Sequence, residues 1–330
     1  MQVYGQTFEA SEVVEKIESL INDGEYFDAL SHAGFLALSD DEGESAKGEL
    51  WKARVFDALD QKSLELRIYE HIYSRFGNSE SAHDVLVTAL YNYAILLSDE
   101  GRYEDAIDKV DALENIIDID SKEEKIVLAR ALFNKTAYYY HLNDFKQQLD
   151  LSKKLIGLFE KDEDPQVQAQ VGRAFASLAE RDFSEGNSER AAENVEKAID
   201  LIKDTSGIQD TFLPSLHGLY GMILEDQGKI KRAKSEYLKA LESVSNPTEE
   251  KQASLYVAGE TSIALLMYSN PEMGDFSKHF ENALEVAEQF GLDEQARRIR
   301  ELLPFDSGRR AEDGDDLSNN GNDAIDATAL

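Results

Sequence analysis

Residues 89–120, ALYNYAILLSDEGRYEDAIDKVDALENIIDID, contain the pattern that decides the fold. The apolar residues of the first half share one helical spacing: Leu90, Tyr93, Ala94 and Leu97. The second half repeats this spacing: Ala106, Val110 and Leu113. Because residues at such intervals lie on one face of an α-helix, each half predicts an amphipathic helix. Gly101 lies between the two halves and predicts the turn at which the first helix ends.

The predicted pair of helices recurs along the chain. A hairpin of two amphipathic helices cannot bury both apolar faces by itself, so it has to stack on further copies. Comparable turns are predicted at five positions: Gly101, Asn143, Gly186, Gly228 and Pro271. They are separated by 42, 43, 42 and 43 residues, and this regular interval indicates an internal repeat of one helical hairpin.

The repeat predicts an all-α fold, a right-handed superhelical solenoid of about seven helix-turn-helix hairpins. Residues 292–303 are expected to form a C-terminal capping helix, and residues 1–303 the whole repeat domain. Hairpin two is the least regular, because no glycine separates its helices. Its second helix is predicted to turn the following residues inward: Leu64, Ile68, Ile72 and Tyr73.

The prolines and the C-terminal residues are consistent with this interpretation. All five prolines are expected at hairpin boundaries, turns or first helical turns, where a missing N–H costs little: Pro165, Pro214, Pro247, Pro271 and Pro304. Residues 304–330 hold seven acidic residues against two arginines and are rich in Gly, Asn, Ser and Asp. This composition predicts a disordered acidic tail.

Composition restricts the class of partner. The formal net charge of −32 disfavours nucleic acid and anionic lipid, because both would be repelled. The chain has no cysteine, which excludes disulfides and thiol catalysis. Its N-terminus lacks the basic start and apolar run of a signal peptide, and no segment approaches the ~18 uninterrupted apolar residues of a membrane span. We therefore expect a cytoplasmic protein that binds neither nucleic acid nor membrane.

No group of residues in the sequence predicts catalysis or a cofactor. The six histidines are scattered and form no His-x-x-x-His or His-Glu-x-x-His motif, so a zinc site is not expected. The glycines occur singly at turns rather than in a phosphate-binding loop, and no Gly-x-Ser-x-Gly motif is found. The sequence predicts a protein that is not an enzyme and uses no metal or cofactor.

The hairpin pattern resembles the tetratricopeptide repeat (TPR), most closely in hairpin six with Tyr220, Gly221, Gly228 and Ala233. Ordinary units of that family have about 34 residues. The longer units found in this sequence resemble those of kinesin light chains and of the peptide-pheromone receptors of Gram-positive bacteria. The resemblance implies that the first helix of each hairpin lines a concave groove and that a protein or peptide segment binds there.

Alignment on the turns places non-core residues of the first helices in this groove. In hairpin two they are Lys47 and Arg54. The predicted peptide-binding residues of hairpins three to five are Tyr91, Asn92, Ile95, Arg130, Asn134, Tyr140, His141, Arg173 and Ser177. The resemblance implies that Asn92 and Asn134 hold the backbone of the ligand, and that Arg130 and Arg173 hold its carboxylates.

Three functions remain open at this point. The first is a non-catalytic scaffold or adaptor that binds a protein or peptide in its groove. The second is a peptide-gated regulator that acts through protein–protein contacts. The third is an assembly factor that binds a basic partner through its acidic surface. The sequence does not determine the oligomeric state.

Overall fold

A computed structural model of the chain describes residues 9–205, 209–242 and 244–302, together with the backbone of residues 2–3 and 6–7. The chain divides into two compact units, an N-terminal unit of residues 1–155 and a C-terminal unit of residues 156–330. The predicted acidic tail lies outside the described residues. None of the described helices is both long and apolar enough to cross a membrane.

The N-terminal unit consists of helical hairpins preceded by two antiparallel two-residue strands, β1 (Gln2–Val3) and β2 (Gln6–Thr7). Its helices are α1 (Ala10–Asn22), α2 (Tyr26–Leu36), α3 (Glu42–Ala58), α4 (Lys62–Phe76), α5 (His83–Asp99), α6 (Tyr103–Ile116), α7 (Lys122–His141) and most of α8 (Phe145–Phe159).

The C-terminal unit continues the same arrangement with three further hairpins and one last helix. Its helices are α9 (Pro165–Ser184), α10 (Ser188–Ile202), α11 (Gln209–Asp226), α12 (Ile230–Glu242), α13 (Glu250–Ser269), α14 (Ser277–Gln289) and α15 (Asp293–Leu302). The helices therefore form seven consecutive pairs followed by α15, which confirms the predicted all-α hairpin repeat and its capping helix.

One residue with positive φ closes each of the first six hairpins. Glycine fills this position in four of them, at φ angles between 70° and 78°: Gly24, Gly101, Gly186 and Gly228. Asn143 has a φ of 58° and takes the place of glycine between α7 and α8, as predicted. Asp60, with a φ of 54°, does the same between α3 and α4. Both residue types enter the left-handed region more readily than other non-glycine residues, so hairpin two has the same turn although its sequence lacks the glycine.

The core of hairpin three is the predicted one. The seven apolar residues that define its two faces are all less than 10% exposed: Leu90, Tyr93, Ala94, Leu97, Ala106, Val110 and Leu113. They belong to one apolar cluster that also includes residues of α3, α4 and α7. The hairpin thus buries its apolar faces against neighbouring hairpins, as a stacked repeat requires.

The predicted inward face of α4 is correct at Ile68 and Ile72, which pack on the core, and wrong at Leu64 and Tyr73. Leu64 and Tyr73 are 38% and 40% exposed, whereas Glu65 and Tyr69 are buried; only Ile72 is fully buried as expected. The helix is rotated because the ring of Tyr69 packs against Tyr93 of α5, with 6.0 Å between ring centroids. A hydrogen bond between Glu65 and Tyr69 allows the carboxylate to lie on the buried face.

Pro214 is also not where the sequence predicted. It lies inside α11, at the sixth residue of the helix and beyond the first turn. Its ring removes one intrahelical hydrogen bond, a cost limited by the closeness of Pro214 to the helix start. Pro165 begins α9, Pro247 lies in a loop, and Pro271 begins a 3-10 turn, as expected. Pro304 lies outside the described residues.

Two histidine–glutamate pairs link the helices of the last two hairpins in opposite orientations. In hairpin six, His217 of α11 lies 2.8 Å from Glu236 of α12. In hairpin seven, Glu260 of α13 lies 2.5 Å from His279 of α14. His217 and Glu260 are 43 residues apart, and so are Glu236 and His279, so the two residue types have exchanged places at equivalent repeat positions.

We predict that this exchange can be reproduced in hairpin six. His217→Glu or Glu236→His alone should destabilise the protein by about 1–3 kcal/mol, because each removes the hydrogen bond between the two helices and the first also sets a second carboxylate against Glu236. The double variant rebuilds the arrangement of hairpin seven and should recover most of that loss in a urea titration. If the two single losses simply add in the double variant, the positions are not equivalent.

Candidate functional site

The N-terminal unit contains a cavity of about 750 Å³ on the side of its first helices. Residues of α1, α3 and α5 line it, and the start of α4 contributes further residues. These three first helices are brought together because α1 contacts α3 and α3 contacts α5. The cavity therefore lies along the first helices of hairpins one to three.

The walls of the cavity are acidic. Four carboxylates line it: Glu18, Asp57, Glu65 and Asp99. Only two cationic side chains do so, Arg54 and Lys62. Since the carboxylates outnumber the cations, the cavity carries the negative sign of the whole chain rather than reversing it.

Glu65 is the buried member of this acidic group, with 6% of its surface exposed. Burial raises the pKa of its carboxyl group, and the neighbouring charges of Asp57 and Asp99 raise it further. A hydrogen bond from Tyr69 and the charge of Lys62 act in the opposite direction without cancelling the increase in pKa. The folded protein thus holds Glu65 where its negative charge is unfavourable.

Tyr69 connects Glu65 to a residue that the sequence analysis placed in the groove. Burial raises the pKa of the Tyr69 hydroxyl, and the adjacent Glu65 raises it as well, so the hydroxyl keeps its proton. Tyr69 also forms a hydrogen bond with Asn92. Asn92 is half-buried and lines the cavity, where its amide can contact a ligand.

An aromatic residue and a cation form another part of the wall. Trp51 is buried, with 8% of its surface exposed. The guanidinium of Arg54 lies 4.4 Å from the centroid of the Trp51 ring. A cation at this distance over an indole ring is attracted to the face of the ring. Trp51 is also the single tryptophan of the chain, so its fluorescence reports on this cavity alone.

The structure places only some of the predicted groove residues in the cavity. Asn92 and Ile95 line it, together with Arg54. Tyr91 is half-buried and packs against the apolar core of the N-terminal unit. Arg130 is exposed and Asn134 half-buried on α7, and neither lines this cavity.

The remaining predicted residues lie elsewhere. At the end of α7, His141 stacks on Tyr103 with 4.7 Å between centroids, and Tyr140 meets Phe145 edge to face. In the C-terminal unit, Arg173 Nη1 donates a hydrogen bond to Gln170, and its guanidinium lies 5.4 Å from the ring centroid of Phe212. Ser177 Oγ donates to the carbonyl of Arg173. A shared clamp of these residues with Asn92 therefore stays a prediction.

Sequence analysis missed one group of potential metal ligands within the described part of the N-terminal unit. His83, Asp84 and Glu124 present ligand atoms that all lie within 4.8 Å of one another. His83 Nε2 is 3.0 Å from Glu124 Oε1, and the backbone N–H of Asp118 donates to the other carboxylate oxygen. These hydrogen bonds explain why His83 and Glu124 lie close together. Because the residues come from different hairpins, no sequence motif could have indicated the group.

Comparison with solved structures identifies the fold. No protein-family model and no curated protein matches the chain. The apo form of RapI is 13% identical, with a TM-score of 0.65 over 89% of this chain and 80% of RapI. The quorum sensor NprR from B. thuringiensis is also 13% identical, with a TM-score of 0.58 over 88% of this chain and 80% of NprR.

A third similar structure carries the repeat in its description. It is the C-terminal part of a TPR repeat-containing protein from Cytophaga hutchinsonii, 15% identical with a TM-score of 0.55 over 88% of this chain and 99% of that one. These similarities show that the chain has the fold of TPR solenoid proteins, which confirms the resemblance found in its sequence.

The position of Glu65 predicts a gain in stability when its charge is removed. A carboxyl group whose pKa is raised by folding stabilises the protein below its unfolded pKa and loses that contribution as the pH rises. Glu65→Gln should therefore increase the free energy of unfolding at pH 7. The gain should shrink as the pH falls towards about 4, the usual pKa of glutamate.

Urea titrations of both proteins across this pH range provide the measurement. Glu18→Gln is the matched control, since Glu18 lines the same cavity but is exposed and should leave stability unchanged. A loss of stability in Glu65→Gln at pH 7 would show that the buried carboxylate is stabilising after all.

Proposed function

We propose that the protein is a non-catalytic peptide-binding protein whose N-terminal cavity receives a peptide segment with a lysine or arginine side chain. The observation that carries the proposal is the group of carboxylates around Glu65. Burial raises the pKa of the Glu65 carboxyl group, and repulsion from the charges of the exposed Asp57 and Asp99 raises it further. A cationic side chain in the cavity would offset this repulsion and would be held by charge-assisted hydrogen bonds.

The other walls of the cavity suit the remaining parts of a peptide. The amide of Asn92 has both a donor and an acceptor, so it can pair with a backbone C=O or N–H. Ile95 and Trp51 supply apolar surface for a neighbouring side chain. An extended segment with alternating basic and apolar residues satisfies all these groups.

The charge of the whole chain favours the same partner. At −32, the protein attracts a basic segment from a distance and accelerates its association at low salt. The solved structure of NprR, described as a quorum sensor, supports the use of this fold for recognition. The acidic cavity also favours the third function left open by the sequence, an assembly factor for a basic partner. We expect the protein to act in the cytoplasm.

This proposal differs in sign from the clamp implied by the family resemblance. In that clamp, Arg130 and Arg173 would hold the carboxylates of an acidic peptide, with Asn134 on its backbone. The proposed cavity requires a basic ligand and the clamp an acidic one, so the charge of the ligand distinguishes the two alternatives.

Selection from a random library of blocked hexapeptides on the full chain tests the proposal. We expect the retained peptides to be enriched in lysine or arginine at one fixed position, and their binding to change the fluorescence of Trp51. Affinity should fall as salt is increased, because the attraction is screened. Glu65→Gln with Asp99→Asn should weaken binding about tenfold or more, the equivalent of one lost charged hydrogen bond.

The control removes two acidic charges from outside the cavity. Glu104→Gln with Asp108→Asn changes exposed residues of α6 and should bind almost as the wild type does. Enrichment of acidic peptides, lost in Arg130→Glu with Arg173→Glu, would overturn the proposal in favour of the carboxylate clamp.

A further inference from the structure

A second cavity, of about 290 Å³, lies in the C-terminal unit and has a different character. Its walls come from α11, α12, α13 and α15, and most of the lining side chains are apolar. Arg298 is the single charged residue of the lining, and its guanidinium already binds Glu294 with an Nε–Oε1 distance of 3.0 Å. In a chain with a net charge of −32, this cavity is distinguished by a mainly apolar lining.

A glycine keeps the cavity open. Gly218 lies in the middle of α11 and lines the cavity, and a Cβ placed on it would meet no atom within 4 Å. Glycine is unfavourable in a helix interior compared with alanine. The other helix glycine on this wall, Gly259, differs because its Cβ would meet Leu241 at 2.7 Å. Packing therefore explains Gly259, whereas Gly218 leaves space that no neighbouring side chain fills.

Two buried polar atoms lie at the wall of this apolar cavity. Gln295 Nε2 donates a hydrogen bond to Ser254 Oγ over 2.7 Å, which leaves Gln295 Oε1 to accept another. Among the described residues, neither Gln295 Oε1 nor Thr261 Oγ1 has a hydrogen-bond partner, although both atoms are buried. Because an unsatisfied buried polar atom is costly, such atoms in a cavity wall point to a ligand that carries a hydrogen-bond donor.

We propose that this cavity binds an uncharged, mainly apolar small molecule that donates one N–H or O–H hydrogen bond to Gln295 or Thr261. The volume is at the lower end of the range for small-molecule sites, about 300–1,000 Å³. An apolar lining with a few convergent polar groups is the usual composition of such sites. The proposal is independent of the function proposed for the N-terminal cavity, since all residues of this site belong to the C-terminal unit.

N-phenyl-1-naphthylamine is a suitable probe, because it is uncharged, apolar and has a single N–H donor, and its fluorescence rises in apolar surroundings. Titrated into the full chain, it should show saturable binding to one site. Gly218→Met should fill the cavity and weaken binding more than tenfold. Gly157→Met is the matched control, since Gly157 also lies within a helix with no atom within 4 Å of its Cβ but does not line the cavity.

A further variant tests the hydrogen bond separately from the shape. Gln295→Leu removes the unpaired acceptor and should weaken binding severalfold while the midpoint of thermal unfolding stays equal or rises. A variant that binds the probe as tightly as the wild type, whatever its unfolding temperature, would overturn the assigned role of Gln295.

Three results contradict the proposal itself. The first is the absence of saturable binding, and the second is equal binding by the Gly218→Met and Gly157→Met variants. In the third, the wild-type chain does not bind, but a variant with Leu317→Asp and Ile325→Asp does. The occupant would then be the segment of this chain that follows Leu302, because these substitutions replace two of its large apolar residues with charged ones.

Discussion

The burial of the apolar faces of each hairpin is the constraint on which the rest of the structure depends. Two amphipathic helices joined by a three-residue turn cannot bury all of their apolar surface against each other, so each hairpin packs against a neighbouring one. A residue with positive φ, such as Gly101 or Asn143, makes the turn and fixes where the next helix starts. Because the interval is regular, the first helices of successive hairpins lie side by side, and α1, α3 and α5 enclose a cavity.

Sequence periodicity predicted those parts of the fold that depend on local pattern. The inward faces of α5 and α6 and the turn at Gly101 are as expected, because spacing and glycine suffice to determine them. The rotation of α4 could not be predicted in the same way. Its buried face contains Glu65 and Tyr69, whose hydrogen bond makes a polar residue acceptable inside, and hydrophobic spacing alone favours Leu64 and Tyr73.

The residues of the acidic cavity were harder to predict from the sequence than the fold. Asn92 and Ile95 were predicted because they lie on the face of a regular first helix that does not pack in the core. Asp57, Glu65 and Asp99 were not, since they come from three different helices in a chain with 66 acidic residues, and nothing local distinguishes them. Glu65 is buried near the charges of the exposed Asp57 and Asp99, and only the packing of α3, α4 and α5 brings the three carboxylates together.

The apolar cavity of the C-terminal unit could not be predicted from the sequence either. Gly218 resembles any other glycine in the sequence, and the partners of Gln295 and Thr261 depend on how α13 and α15 pack. Both cavities are thus properties of neighbouring hairpins rather than of one repeat. Two cavities of opposite character, one acidic and one apolar, can arise in a repeat protein because each new hairpin interface is built from different side chains.

Hydrogen-exchange mass spectrometry tests the central claim, that the acidic cavity of the N-terminal unit is the site of peptide recognition. Exchange is followed in the full chain with and without the most tightly bound basic hexapeptide. The account predicts slower exchange in α3, α4 and α5, with no change in α11 and α13. Slower exchange confined to α7 and α9, which carry Arg130 and Arg173, would contradict it.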